Sequence, residues 1–175
     1  RRRSAGAPAH TRDHGATVDY NDMCRAVPGG VFSSITTARK VMEEGMPPLA
    51  HAMLPKMLSE GMLSTQPGTS TTIRSMMAEQ PPAGVVGALR GMAVRPDRTH
   101  MLAALAVPTL IISGSLDTLI PPSESEAMAK AIPGSKLIVI PGVAHLSNVE
   151  APQAFNTAVR EFMSGINEHG PSATE

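Results

Sequence analysis

The sequence predicts an α/β fold in which helices cover a parallel β-sheet. Residues 107–113 and 136–140 are short apolar, β-branched runs, each followed closely by a glycine, as buried parallel strands often are. Residues 123–132 lie between these runs and have apolar side chains at helical spacing. Strand, helix and strand form a βαβ unit, and its right-handed crossover brings the carboxyl ends of both strands to one edge of the sheet.

The amino-terminal residues 1–36 show neither helical nor strand periodicity, so we expect an irregular or disordered segment. His10, Asp13 and His14 are close in sequence, but their proximity in a polar tail does not define a metal site, and we expect none. Because Arg1 rather than Met stands first, we expect the natural start of the protein to lie elsewhere.

The next region is predicted to be helical. The polar stretch 64–72, with Pro67 and Gly68 as its turn, is predicted to be a loop, and proline pairs separate other segments. Apolar residues at helical spacing predict helices over residues 38–46, 49–61, 72–79, 83–94 and 100–105.

Each predicted strand is followed by one ionisable side chain, Asp117 after the first and His145 after the second. Because the carboxyl ends of parallel strands meet at one edge, we expect these two side chains to lie close together. A carboxylate and an imidazole so placed are two of the three members of a hydrolytic triad. A rim histidine beside a helix-capping aspartate is the structural alternative.

Composition excludes several classes of partner. The formal net charge is zero, which argues against nucleic acid or an anionic membrane surface as a partner. No apolar run approaches the roughly 18 residues that a membrane-spanning helix needs. The single cysteine, Cys24, cannot form an internal disulfide and favours a reducing compartment, so we expect a cytoplasmic protein.

Two stretches of the sequence resemble the α/β-hydrolase superfamily. They are Pro108–Thr–Leu–Ile–Ile–Ser–Gly–Ser–Leu–Asp117 and the later Gly142–Val–Ala–His145, which is followed by Glu150. In that family the acid and the histidine each follow a late strand. The resemblance implies that Asp117 and His145 are catalytic and that the fold is partial, the carboxyl-terminal portion of a hydrolase sheet with a helical cap. The implied regions are residues 1–36, irregular; 37–105, the cap; 106–164, the core with acid and histidine; and 165–175, a flexible tail.

The cap sequence, including Gly45–Met–Pro–Pro–Leu–Ala–His–Ala–Met–Leu–Pro–Lys–Met–Leu58, resembles 3-oxoadipate enol-lactonases and carboxylesterases. This resemblance implies a serine hydrolase that cleaves a small carboxylic ester or lactone through an acyl-enzyme, with no cofactor and no metal. The family nucleophile lies in Gly-x-Ser-x-Gly, which is absent here, so we expect this chain alone to be inactive. The alternatives are a non-catalytic remnant, a fragment that binds a ligand or partner, and a haloperoxidase-like or lyase-like member of the superfamily.

Three further residues have weaker claims to a catalytic role. Ser115 lies beside Asp117 but is not part of a Gly-x-Ser-x-Gly motif, so it is a weak candidate for the nucleophile. Cys24, in the irregular segment, is a weak candidate to pair with His145. Glu150 is expected to help fix the start of the closing helix near its positive end. A partial sheet also exposes a strand edge near residues 107–113, through which we expect the chain to associate.

Overall fold

The computed structural model describes residues 30–168, with side chains described over residues 34–166. The described helices and strands are, in chain order, α1 Gly30–Glu44, α2 Met46–Met57, α3 Glu60–Thr65, α4 Pro67–Ala78, α5 Pro82–Ala93, a 3-10 helix Thr99–Ala104, β1 Leu110–Gly114, α6 Pro122–Ala131, β2 Lys136–Ile140, α7 Ser147–Glu150 and α8 Pro152–Glu168.

The carboxyl-terminal part contains the predicted βαβ unit. Strand β1 pairs in parallel with β2, with Leu110 opposite Lys136 and Gly114 opposite Ile140. Helix α6 connects the two strands and packs against both of them. A cluster of buried apolar residues fills the space between this helix, the 3-10 helix and the sheet, namely Leu102, Ile111, Met128 and Ile132. The α/β prediction and the parallel pairing are therefore confirmed.

The helical region before β1 forms a second packing unit. Helix α1 packs mainly on α5, and α2 packs mainly on α4. Prolines stand in the first turn of α2, α4 and α5, where a missing backbone N–H costs no helical hydrogen bond. The apolar cluster between α1, α2 and α5 contains Ala38, Val41, Met46 and Val86.

The predicted boundaries of the amino-terminal segment need correction. Helix α1 begins at Gly30, whereas the segment predicted to be irregular extends to residue 36. Pro28, Gly29 and Gly30 suggested irregular structure at this point of the sequence. The buried apolar residues of α1 are Ala38 and Val41, whereas Ile35 in the preceding turn is exposed. Residues 1–29 lie outside the described part of the chain.

The predicted loop over residues 64–72 is wrong, since α3 extends to Thr65 and α4 begins at Pro67. Pro67 starts a helix instead of a turn. The polar side chains that suggested a loop donate to carbonyls one helical turn earlier, so helical backbone satisfies them. These bonds run from Thr65 Oγ1 to Gly61 O at 2.8 Å, from Ser70 Oγ to Gln66 O at 3.1 Å and from Thr72 Oγ1 to Gly68 O at 3.0 Å.

The carboxyl-terminal boundary is also later than predicted. Helix α8 continues through Gly165 to Glu168, although the flexible tail was predicted to start at residue 165. A glycine near a helix end lowers helix propensity without breaking the helix, so the polar composition beyond it misplaced this boundary. Residues 169–175 lie outside the described part of the chain.

Candidate active site

The loops that follow β1 and β2 are joined by backbone hydrogen bonds. Ser115 N donates to Ile140 O at 2.9 Å, and Leu116 N donates to Val143 O at 2.9 Å, which extends the parallel ladder beyond the strands. The Ser115 hydroxyl accepts from Gly142 N at 2.8 Å. These bonds hold the loop that carries Asp117 against the loop that carries His145.

Gly114 permits this close approach at the end of β1. A Cβ atom built on Gly114 would lie 2.2 Å from Ala144 O and 2.5 Å from Val143 O. Both distances are far inside van der Waals contact, so only glycine fits without moving the residues just before His145. Gly142, on the other loop, has φ of 76° and turns the chain out of β2.

The Asp117 carboxylate is buried, with 7% of the residue exposed, and both of its oxygens have partners. Oδ1 accepts hydrogen bonds from Leu119 N and Ile120 N, each at 2.9 Å. Oδ2 lies 2.8 Å from His145 Nδ1. The two backbone donors fix the plane of the carboxylate, so Oδ2 is aimed at the imidazole.

His145 is partly buried, and its Nδ1 faces the carboxylate. A neutral imidazole that donates from Nδ1 to a carboxylate has an unprotonated Nε2, which can accept a proton from another group. The structure therefore brings together the two residues that the sequence predicted as an acid and base pair. The arrangement can orient an imidazole and stabilise its charged form.

The histidine loop is also bonded to the helical region. Leu146 N donates to Met57 O at 3.1 Å, and Ala144 N donates to Glu150 Oε1 at 2.8 Å. Glu150 Oε2 accepts from Ser59 N at 3.1 Å and from the Ser59 hydroxyl. Backbone groups on both sides of His145 are thus bonded to groups outside the sheet.

Two sequence expectations are refined by these contacts. Glu150 was expected to help fix the start of the closing helix. Its carboxylate instead accepts hydrogen bonds from the backbone N–H groups of Ala144 and Ser59. The Ser115 hydroxyl accepts the Gly142 N–H and so joins the two loops.

Sequence reasoning missed Ser59, which caps α3 by accepting from Met62 N at 3.2 Å. A serine before a helix start was the available signal for the cap. Nothing local indicated that the same hydroxyl also reaches Glu150.

The remaining candidates can be placed only in part. Within residues 30–168 there is no group of three or more His, Cys, Asp or Glu side chains that could hold a metal ion. In the same part of the chain, no helix combines the length and the apolar character required to cross a bilayer. Cys24, together with His10, Asp13 and His14, lies outside the described residues.

The fold and the paired loops match a known family. The family model for the alpha/beta hydrolase fold matches residues 38–152, which span both the helical region and the site. This chain belongs to the alpha/beta hydrolase fold family.

Several individual relatives are named as ester or lactone hydrolases. The chain is 29% identical over 130 residues to 3-oxoadipate enol-lactonase 2 of Acinetobacter baylyi, covering 74% of this chain and 48% of that protein. A thermophilic esterase from Thermogutta terrifontis superimposes with a TM-score of 0.76 at 38% identity, covering 80% of this chain and 52% of that one. The enol-lactonase from Burkholderia xenovorans gives a TM-score of 0.69 at 28% identity, covering 73% and 48%. The chain spans about half the length of these relatives.

Proposed function

We propose that this chain supplies the acid and the base of a serine hydrolase that cleaves small carboxylic esters or lactones. The observation that carries the proposal is the 2.8 Å contact between His145 Nδ1 and the buried Asp117 carboxylate, which also accepts two backbone hydrogen bonds. Names of the relatives support the substrate class, because they are an esterase and two enol-lactonases.

The proposed reaction uses His145 as a base and then as an acid. Its Nε2 removes the proton from a serine hydroxyl while the serine oxygen attacks the carbonyl carbon, and it then protonates the departing alcohol oxygen. A water molecule, deprotonated by the same nitrogen, then attacks the acyl carbon; the acid is released as the bond to the serine oxygen breaks, and His145 returns the proton to that oxygen. Asp117 holds the imidazole tautomer and stabilises the imidazolium in both steps.

The nucleophile is assigned to residues outside this sequence, since Gly-x-Ser-x-Gly does not occur among the 175 residues. The oxyanion hole of the family is built around that serine and from an early loop, so it is assigned there as well. The 175-residue chain alone is accordingly inactive in this proposal.

A second candidate function is non-catalytic, either a remnant of a hydrolase or a fragment that binds a ligand or a partner. The missing nucleophile motif is the observation that favours it. A base with no hydroxyl to deprotonate performs no acyl transfer, and the folded scaffold would then be retained for binding alone.

The test is labelling of the native-length protein with a fluorophosphonate probe, followed by intact mass measurement. One added probe and p-nitrophenyl ester hydrolysis that disappears in His145→Ala would support the hydrolase. A native mass equal to that of these 175 residues, with no adduct and no hydrolysis, would support the non-catalytic candidate.

A further inference from the structure

The segment between α2 and α3 is hydrogen-bonded to the residue that follows the candidate base and to Glu150. This segment, residues 57–59, leaves the end of α2, and it contains Leu58, which is fully buried, and the buried Ser59. Met57 O accepts from Leu146 N of the histidine loop, and the backbone N–H and hydroxyl of Ser59 donate to Glu150 at the end of α7. The separation between Ser59 and Glu150 is 91 positions, so only the tertiary fold creates the contact.

Two hydrogen bonds hold the backbone N–H groups of the residues before and after His145. The preceding residue, Ala144, donates its N–H to Glu150 Oε1 at 2.8 Å. The following residue, Leu146, donates its N–H to Met57 O at 3.1 Å. Neither bond involves Asp117. The backbone at His145 and the imidazole ring are therefore held by different hydrogen bonds.

Glu150 connects the two halves of this arrangement. One of its carboxylate oxygens binds the histidine loop at Ala144, and the other binds Ser59 through the backbone N–H and the hydroxyl. All three partners are donors, and an ionised carboxylate is the side chain that accepts at every position. Glu150 lies at the end of the single-turn helix α7, where its N–H donates to Leu146 O at 3.0 Å and keeps the loop compact.

We propose that Glu150 is a positioning residue that fixes His145 relative to the segment 57–59, so that the helical region sets the location of the base. Glu150 has this role only if His145 is the base, and the inference therefore rests on the proposed function. Acyl transfer requires Nε2 within hydrogen-bond reach of the nucleophile, and a displacement of about 1 Å can lower the rate about a hundredfold.

Glu150→Gln tests the carboxylate most directly, because it changes the hydrogen-bonding groups and preserves the size of the side chain. The amide keeps one acceptor oxygen and turns an N–H₂ group toward a donor, either at Ala144 or at Ser59. One side of the bridge must open. Ser59→Ala removes the hydroxyl donor and keeps the two backbone donors, so it weakens the bridge less.

The kinetic test uses ester hydrolysis by the native-length protein. Glu150→Gln is expected to lower kcat about a hundredfold with KM nearly unchanged, and Ser59→Ala to lower kcat by less. Two control variants should retain wild-type kcat: Ser70→Ala, which removes a buried hydroxyl elsewhere in the helical region, and Glu126→Gln, which removes an exposed carboxylate. Wild-type kcat in Glu150→Gln would overturn the proposal.

A spectroscopic measurement separates positioning from simple loss of stability. Nuclear magnetic resonance of protein with labelled histidine should show a single downfield Nδ1 proton for His145 in the wild type and in both controls. In Glu150→Gln this signal should broaden or divide, because the ring loses its fixed distance from Asp117. An unchanged His145 signal together with a lowered melting temperature would mean that Glu150 only stabilises the fold.

The two proposals can fail separately. If the native-length wild type hydrolyses no ester, the proposed function is wrong, and the His145 signal still decides whether Glu150 locates the imidazole. If hydrolysis is present and Glu150→Gln leaves both kcat and the His145 signal intact, only the positioning role is wrong. Where the Glu150 variant does not fold, the same two readouts on Ser59→Ala decide the question.

Discussion

At the scale of single residues, the Asp117 carboxylate is held by more than its contact with the imidazole. Two backbone N–H groups bind Asp117 Oδ1 and leave Oδ2 for His145. Asp117→Asn retains the shape of the side chain but places an amide where one acceptor oxygen was. We expect an amide nitrogen facing Nδ1 to favour the opposite imidazole tautomer, with the proton on Nε2.

The expected result of Asp117→Asn in the native-length protein is a loss of about 10⁴-fold in kcat for ester hydrolysis, with the fold retained. Steady-state kinetics and circular dichroism measure the two quantities. Asp97→Asn is the matched control, because Asp97 accepts from Thr99 in an exposed turn. Equal activity in the two variants would contradict the role assigned to Asp117.

Gly114 offers a prediction about stability at the same scale. Gly114→Ala places a methyl group against the carbonyls of Val143 and Ala144, and the histidine loop must move to admit it. We expect a loss of about 1–3 kcal/mol in the free energy of unfolding, measured by chemical denaturation. Gly87→Ala is the control, since outside the neighbouring backbone of α5 no atom lies within 4 Å of the added methyl group. It should stabilise the helix by about 0.5–1 kcal/mol, and equal effects at the two positions would refute the account.

At the scale of secondary structure, the strands were predictable and several helix ends were not. Residues 110–114 and 136–140 are short and β-branched with a glycine at or near the end, so the strand pattern located both. The predicted burial and first boundary were wrong in part, because β1 begins at Leu110 instead of Val107 and β2 is buried only at Ile140. The end of α3 and the first half of α4 were predicted as loop because serine and threonine resemble loop residues until their hydroxyls bond the preceding turn. Composition alone does not distinguish these two uses of a hydroxyl.

The packing of α1 on α5 gives a prediction for an element. Val41 on α1 is 1% exposed within the apolar cluster, whereas Val94, just beyond α5, is 79% exposed. Val41→Ala should lower the free energy of unfolding by about 2 kcal/mol through lost burial and a residual cavity. Val94→Ala removes the same atoms and should change it by less than about 0.5 kcal/mol. Denaturant titration of both variants measures the difference, and equal values would contradict the described packing.

At the scale of the whole molecule, one contact of the site could be predicted from the sequence and another could not. Asp117 and His145 were predictable as neighbours because a βαβ unit places the ends of its strands together. The contact of Glu150 with Ser59 was not, because no local pattern marks a hydrogen bond across 91 positions. The sheet brings Asp117 and His145 together, and the helical region contributes three hydrogen bonds, one to Leu146 and two to Glu150.

The sheet itself leads to the last prediction. Among residues 30–168 it has two strands, so each strand has one edge with no strand beside it. Val107, just before β1, is 60% exposed. An open edge of this kind pairs readily with another chain, so the 175-residue chain should elute as oligomers in size-exclusion chromatography with light scattering. Val107→Lys should shift the distribution toward monomer, because a charge beside the edge opposes pairing. Val94→Lys adds the same charge in the helical region and should leave the size distribution unchanged. A sharp monomer peak with cooperative melting in the unsubstituted chain would show that the edge does not drive association.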